Sequence, residues 1–293
     1  WDLFISDRTT GRSMKVLSEE DNSGWLENHS QIRYLSDGKI IWISERSGFK
    51  HIWMSKHSGS KFWPITEGSW EVSKIVHIDE KSKLIYFIAN KESVFENRLY
   101  SIRFDGTDLS LLTIEEGNHS IRLTGSKKYF IDTYSTVDMP RKIVLKELKT
   151  GSVIRVMAET DISQFVEYEW SNPEIVHFPS VDGTATLDGT LILPPNYDSK
   201  KKYPVIIHGY GMPGTQIVWN RWGSTWDQYL TQQGYIIFSM DTRGMSGRGE
   251  SFKNLSYGDM SKYLAYDQVA GINFLIEKGY ADPKRIGAWG NER

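Results

Sequence analysis

Short apolar runs recur with constant spacing in the first half of the chain. Runs rich in β-branched and aromatic residues begin 44 residues apart, at positions 39–43, 83–87 and 127–131. Each is followed by a second short run, a glycine-containing turn signal and a third run. Repeats of about 40–50 residues that contain several short strands are typical of β-propeller blades. We therefore predict that residues 1–164 form the C-terminal part of a β-propeller domain.

The number of repeats is too small for a closed ring. Residues 1–27 contain strand-like runs at 3–5 and 14–16, which resemble the end of a further blade. About three and a half blades are then present, whereas propellers close with about four to eight blades. A closed ring would need more chain upstream. A β-sandwich with coincidental spacing is the alternative.

From about residue 165 the pattern changes to strands that alternate with helices. Predicted strands lie at 190–193, 205–208, 235–240 and 285–289, with a hairpin over 181–189. Two sets of apolar residues have helical spacing: Trp222, Trp226, Tyr229 and Leu230, and then Ala265, Val269, Ile272 and Ile276. Alternating strands and helices favour an α/β domain with a parallel sheet, which we assign to residues 165–293.

Composition excludes several classes of protein. The 35 Lys and Arg residues nearly balance 37 Asp and Glu residues, so there is no electrostatic signal for nucleic acid or for an anionic membrane. No run reaches the 18 or so consecutive apolar residues of a membrane span. The absence of cysteine excludes disulfides, cysteine-ligated zinc and thiol catalysis. The seven histidines have no metal-ligand spacing, and we expect no metal or cofactor.

Three segments of the second half resemble the prolyl oligopeptidase family of serine peptidases. They are KYPVIIHGYGMPGTQ at 202–216, DTRGMSGRG at 241–249 and YADPKRIGAWG at 280–290. Tyr-Gly-x-Pro-Gly followed by Gln is most similar to the dipeptidyl peptidase IV branch. Acylaminoacyl peptidases and prolyl oligopeptidases proper are the alternatives within the family. The resemblance implies a β-propeller followed by an α/β-hydrolase domain, the order inferred above.

The resemblance also implies a role for Tyr210. Acyl transfer by a serine nucleophile needs hydrogen-bond donors for the oxyanion that forms. In the family, a tyrosine hydroxyl just past the first hydrolase strand supplies one donor, and Tyr210 matches that position. A tyrosine that packs a turn is the alternative. His208 precedes the nucleophile position, whereas the order in α/β-hydrolases is Ser, acid and His, so we interpret His208 as structural.

Charged residues follow the predicted strand at 235–240. The glycines of the loop at 241–249 do not have the spacing of a dinucleotide fingerprint. We expect Asp241 and Arg243 to form a buried charged network beneath the active site. Asp267, in the second predicted helix, is interpreted as structural.

The nucleophile of the family is missing from this chain. The elbow motif is Gly-x-Ser-x-Gly, and Gly290 matches its first glycine. The serine position is occupied by Glu292, the chain ends at Arg293, and the acid and histidine of the triad are absent. We therefore expect this polypeptide to be inactive. Truncation is favoured over a family member that lost its serine, because an inactive homologue would retain the rest of its hydrolase domain.

The resemblance implies a fragment of a serine dipeptidyl peptidase. Such an enzyme releases N-terminal dipeptides with Pro or Ala in second position, acts on short peptides and forms a homodimer as the full-length parent. The branch binds the substrate amino group with two acidic residues, for which this chain has no equivalent, so the substrate-binding residues stay unknown. A periplasmic or membrane-anchored location is favoured, without excluding the cytoplasm. The alternative function is a propeller-based binding protein with an inactive hydrolase half.

Overall fold

The computed structural model describes residues 1–21, 24–26, 31–56, 61–165 and 167–290. The first half consists of strands β1 (Asp2–Ser6), β2 (Ser13–Ser18), β3 (Arg33–Tyr34), β4 (Ile40–Ser44), β5 (His51–Ser55), β6 (Phe62–Pro64), β7 (Val72–Asp79), β8 (Leu84–Ala89), β9 (Arg98–Arg103), β10 (Ser110–Leu111), β11 (Asn118–Leu123), β12 (Tyr129–Ser135), β13 (Lys142–Glu147) and β14 (Val153–Glu159). The second half consists of a 3-10 helix (Ile162–Phe165), β15 (Glu174–Pro179), β16 (Thr186–Ile192), β17 (Tyr203–His208), α1 (Thr225–Gln232), β18 (Ile236–Asp241), α2 (Glu250–Asn254), α3 (Met260–Glu277) and β19 (Ala281–Trp289).

The first half is a partial β-propeller, as the repeat predicts. Strands β1 and β2 form a hairpin, and three four-stranded antiparallel sheets follow: blade 1 (β3–β6), blade 2 (β7–β10) and blade 3 (β11–β14). The three repeated apolar runs coincide with the second strand of each blade. The first strand of each blade was missed, because β3 has only two residues, both exposed, and the buried positions of β7 and β11 are irregularly spaced.

The blades pack face to face through side chains that alternate along each strand. In β8, Ile85 and Phe87 lie in the core shared with blade 1. The residue between them, Tyr86, lies in the core shared with blade 3, together with Leu99 of β9. Since successive side chains of a strand point to opposite faces, one strand contributes to two cores. This explains the nearly continuous apolar sequence of β8.

The second half is a mixed five-stranded sheet with the order β15-β16-β18-β17-β19. Strand β17 is parallel to both β18 and β19, as the alternation of strands and helices predicts. The β15–β16 hairpin joins the sheet antiparallel to β18. The hairpin predicted over 181–189 is real, but its arms are longer and its turn lies around Gly183, which has a φ of +67°. A mixed sheet with a parallel part agrees with the α/β domain predicted from the sequence.

Helix α1 is confirmed, but its buried face is not the predicted one. Trp226 and Tyr229 are 52% and 53% exposed, and their rings stack 5.5 Å apart. The buried residues are Gln228 and Thr231. Gln228 faces inward because its side chain bonds both backbone groups of Ser171, accepting from the N–H at 2.9 Å and donating to the carbonyl at 2.6 Å. A polar side chain whose groups are all bonded can be buried.

Helix α3 is also rotated relative to the predicted apolar stripe. Its buried residues are Asp267, Ala270, Gly271 and Leu275, whereas Val269 is 47% exposed. The reason is the close approach of the sheet at Gly271, where a Cβ atom would lie 2.4 Å from Met240 Cε. Only a small residue fits at position 271, so the helix turns the face with Ala270 and Gly271 toward the sheet. In the described part of the chain, no helix combines the length and apolar character needed to cross a bilayer.

The two halves are joined by buried polar contacts. Lys253 Nζ lies 2.5 Å from Glu45 Oε2, with both side chains nearly inaccessible. The N–H of Gly249 donates to Glu71 Oε1 at 2.7 Å, and Asn90 Nδ2 donates to the carbonyl of Gly247 at 2.9 Å. These contacts fix the segment 247–253 against blades 1 and 2.

We expect Gly151→Ala to destabilise blade 3 strongly. Gly151 has a φ of +72°, and a Cβ atom there would lie 2.2 Å from the carbonyl oxygen of Leu112. Gly11 has a similar φ of +70° with open space around it. Gly11→Ala should therefore cost only the conformational strain, about 1–2 kcal/mol, and Gly151→Ala should cost clearly more in urea unfolding. Equal losses for the two variants would contradict the predicted clash.

Candidate active site

Tyr210 follows β17 at the carboxyl edge of the sheet. It begins a long connection to α1, residues 209–222, which we call the Tyr210 loop. Tyr210 lines a cavity of about 460 Å³ together with His208, Trp219 and Asp227. The cavity extends over one face of the sheet, because Thr190 of β16 and Ile237 of β18 also line it, and it reaches the carboxyl end of β17 at His208 and Tyr210.

Strand β19 brings the predicted nucleophile elbow to the Tyr210 loop. The register of the parallel pair places His208 opposite Trp289, and the N–H of Gly209 donates to the carbonyl of Trp289 at 2.9 Å. Gly290 then packs against Gly209, because a Cβ atom at position 290 would lie 2.6 Å from the Gly209 oxygen. The first glycine of the elbow is thus in contact with the residue that precedes Tyr210. Glu292, the predicted serine position, lies outside the described residues.

The His208 side chain packs on an aromatic neighbour. Its ring stacks on Trp289 with 4.5 Å between centroids and 13° between planes. The other described histidines are engaged elsewhere: His119 bonds Asp132 inside blade 3, and His177 bonds Asp188. Among the described residues, no group of three His, Cys, Asp or Glu side chains could hold a metal ion. His29 and His57 lie outside the described residues.

Asp241, at the end of β18, forms hydrogen bonds to the backbone of the Tyr210 loop. Its Oδ1 accepts the N–H groups of Ile217 at 2.8 Å and Val218 at 3.2 Å. Its Oδ2 lies 3.0 Å from Arg248, which also pairs with Asp188 at 2.5 Å. Asp241 is therefore part of a buried charged cluster, as predicted, but this cluster contains Arg248 and Asp188 where we expected Arg243, and Asp241 connects it to the loop that carries Tyr210.

Arg243 forms a second buried charged cluster, which has its own partners. Its guanidinium pairs with Asp267 at 2.7 Å, with the two side chains 1% and 0% exposed. It also pairs with Asp182 at 2.7 Å and lies over the ring of Tyr263. Hydrogen bonds from Arg243, and then from Ser180 and Thr184, hold the pKa of Asp182 well below its usual range. Asp267 therefore has a structural role, because it neutralises the buried guanidinium of Arg243.

Asp227 is a site residue that the sequence did not reveal. It lies in the first turn of α1, where an acidic residue is common because it complements the helix dipole, so its position gave no signal. Burial raises its pKa, and the charge of His208 opposes this shift. Asp227 lines the same cavity as Tyr210.

Asp227→Asn should stabilise the chain at neutral pH. Because the folded pKa of Asp227 is above the unfolded one, ionising this carboxyl as the pH rises past about 4 disfavours the folded state. The variant removes that effect, so its melting temperature should exceed that of the wild type at pH 7. The difference should vanish when the pH falls below about 4. Equal melting temperatures at pH 7 would contradict the assignment.

Two family models match the chain. The model described as the dipeptidyl peptidase IV N-terminal region matches residues 1–141, and that of the prolyl oligopeptidase family matches residues 222–291. The first match lies in the partial propeller. The second runs from the end of the Tyr210 loop through α1 to the elbow.

Curated relatives extend along nearly the whole chain. Dipeptidyl peptidase 4 of Trichophyton equinum is 28% identical over 98% of this chain, and a probable dipeptidyl-aminopeptidase B of Emericella nidulans is 29% identical over 98%. The chain spans 39% and 34% of those proteins, respectively. The chain is therefore similar to about two fifths of a dipeptidyl peptidase.

Solved structures give the same result for the fold. Porphyromonas gingivalis dipeptidyl peptidase 4 superposes with a TM-score of 0.89 at 23% identity, over 99% of this chain and 41% of that one. A putative dipeptidyl aminopeptidase IV from Bacteroides ovatus superposes with a TM-score of 0.88 at 29% identity, over 99% and 44%. The partial propeller followed by the start of a hydrolase sheet is thus shared with the matched part of these structures.

Proposed function

The chain belongs to the dipeptidyl peptidase IV branch of the prolyl oligopeptidase family, and from this premise we propose that it is part of a serine dipeptidyl peptidase. The complete enzyme would release dipeptides from the N-termini of short peptides, with Pro or Ala in second position. We also propose, on the resemblance alone, that the complete enzyme forms a homodimer. The division into a propeller domain, residues 1–164, and a hydrolase domain, residues 165–293, is part of the same proposal.

Tyr210 is proposed to donate its hydroxyl to the oxyanion. The supporting observation is the contact between Gly290 and Gly209, which sets the start of the elbow beside the residue that precedes Tyr210. A serine two residues beyond Gly290 would emerge next to Tyr210, and the N–H after that serine would supply the second donor. Two donors aimed at the developing charge stabilise the tetrahedral intermediate more than the substrate carbonyl.

The serine, acid and histidine are proposed to come from polypeptide beyond this chain. Position 292 is Glu, where the elbow motif of the family has its serine nucleophile. Sequencing the DNA after the codon for Arg293 tests this directly. Gly-x-Ser-x-Gly in another frame, followed by Asp and His, supports the enzyme. An in-frame hydrolase domain that continues without a serine would instead favour a binding protein.

Activity is tested with the protein expressed from the complete gene. We expect it to release the dipeptide from X-Pro and X-Ala chromogenic substrates, and we expect the 293-residue chain to release none. Cleavage only of N-acylated peptides, or only after internal prolines, would place the protein in another branch. Activity of the 293-residue chain alone would contradict the missing-nucleophile interpretation.

A further inference from the structure

The far end of the Tyr210 loop is held by one asparagine. Asn220 uses all four of its polar groups in hydrogen bonds to the propeller. Its N–H donates to the Phe95 carbonyl, and its own carbonyl accepts from the Asn118 N–H, both at 2.9 Å. Its Oδ1 accepts from the Val137 N–H at 3.0 Å, and its Nδ2 donates to Glu96 Oε1 at 2.7 Å. An aspartate would lose the donor, and an alanine would lose both side-chain bonds.

The acceptor of the Asn220 amide is itself fixed. Glu96 is buried and pairs with Arg98 at 2.5 Å. The oxygen that accepts from Asn220 also accepts the N–H of Gly117 at 3.0 Å. Hydrogen bonds to a charged acceptor are roughly twice as strong as neutral ones. Asn220 is therefore bonded to a rigid part of the propeller, at the junction of blades 2 and 3.

Hydrogen bonds continue from Asn220 back toward Tyr210. The Asp241 carboxylate holds residues 217 and 218, as described above. The side chain of Gln216 donates to the carbonyl of Val94 in blade 2 at 2.8 Å. The carbonyl of Thr215 accepts from Ser246 at 2.8 Å, and the N–H of Thr215 donates to the Met212 carbonyl at 3.2 Å. The loop is thus bonded at short intervals between Asn220 and the residues next to Tyr210.

We propose that Asn220 is a positioning residue, through which the propeller holds the Tyr210 hydroxyl at the oxyanion position. This inference rests on the proposed role of Tyr210. Asn220 touches no reacting group and acts only through the loop. The propeller then contributes to catalytic geometry, besides any effect it has on substrate entry.

Amide hydrogen exchange in the 293-residue chain tests the structural part of the proposal. Asn220→Ala should raise exchange within residues 210–219 about tenfold or more, because the loop opens locally when it loses a charge-assisted bond and a neutral one. Asn254→Ala is the matched control. Asn254 is also a hydrolase asparagine bonded to the propeller, through Asp21 at 2.8 Å and Trp25 at 3.1 Å, but it lies in α2.

The control should leave exchange in 210–219 unchanged and raise it near residues 24–26. Unchanged exchange in 210–219 in Asn220→Ala would overturn the proposal. So would an equal rise across the whole hydrolase half, since that result would describe general destabilisation. Asn220→Asp serves as a second variant, because it keeps the size and places a carboxylate against Glu96. Because two facing carboxylates repel, it should raise exchange in 210–219 at least as much as the alanine variant.

A double-mutant cycle in the protein from the complete gene tests the catalytic part. Asn220→Ala should lower kcat about tenfold or more with little change in KM, and it should have almost no further effect in a Tyr210→Phe background. Multiplicative losses would show that Asn220 acts independently of Tyr210 and would overturn the proposal. If the wild-type protein releases no dipeptide, the proposed function fails, while the exchange experiment still decides whether Asn220 holds the loop.

Discussion

Replacing Arg243 by methionine is expected to lower the free energy of unfolding by about 3–5 kcal/mol, because it leaves the Asp267 carboxylate buried without its cation. Asp267 is 0% exposed and pairs with Arg243 at 2.7 Å. Methionine keeps most of the apolar stem, so the lost charge dominates. Urea unfolding followed by tryptophan fluorescence gives the measurement.

Two further variants make the Arg243 experiment specific. Arg285→Met removes the arginine of an exposed pair with Asp282 and should cost less than about 1 kcal/mol. Combining Arg243→Met with Asp267→Leu removes both buried charges, and the double variant should be more stable than Arg243→Met alone. A loss as small as that of Arg285→Met would show that Asp267 finds another partner or takes up a proton.

Tyr210→Phe should lower kcat about 10²–10³-fold in the protein from the complete gene, equivalent to roughly 2.7–4 kcal/mol of transition-state stabilisation. KM should change little, because the hydroxyl bonds mainly the charge that develops in the transition state. Phenylalanine keeps the ring, so the melting temperature should stay the same.

The matched control for Tyr210→Phe is Tyr229→Phe, which removes a hydroxyl from a solvent-exposed ring on α1. It should leave kcat and the melting temperature unchanged. If Tyr210→Phe retains most of the wild-type kcat, the hydroxyl is not an oxyanion donor. If it loses stability together with activity, Tyr210 instead packs the turn.

The sequence predicted those strands whose local pattern carries the information. The apolar runs at 39–43, 83–87 and 127–131 become β4, β8 and β12. Strands β4 and β8 are apolar on both faces because both faces are buried, whereas in β12 buried positions alternate with half-buried ones. The first strand of each blade has polar residues that face solvent, so its sequence could not be distinguished from that of a loop. The faces of α1 and α3 were wrong because their orientation is set by distant partners, Ser171 for Gln228 and Met240 for Gly271.

The candidate site was predictable only where a motif carried it. Tyr210 and Gly290 belong to segments that resemble a known family, so their positions could be named from the sequence. Asn220 belongs to no such motif, and its partners lie between 83 and 125 residues earlier in the chain. Contacts over such separations leave no periodic trace, and only the folded structure reveals them.

The Asn220 contacts also imply an order of events during folding. The hydrogen-bond partners of Asn220 come from blades 2 and 3, and they are adjacent only after those two blades have packed together. Closing such long loops early is entropically unfavourable, whereas each blade forms from neighbouring strands. Domains generally fold as units, with the N-terminal one first during synthesis. The segment around residue 220 can therefore complete its native hydrogen bonds only after blades 2 and 3 have packed together.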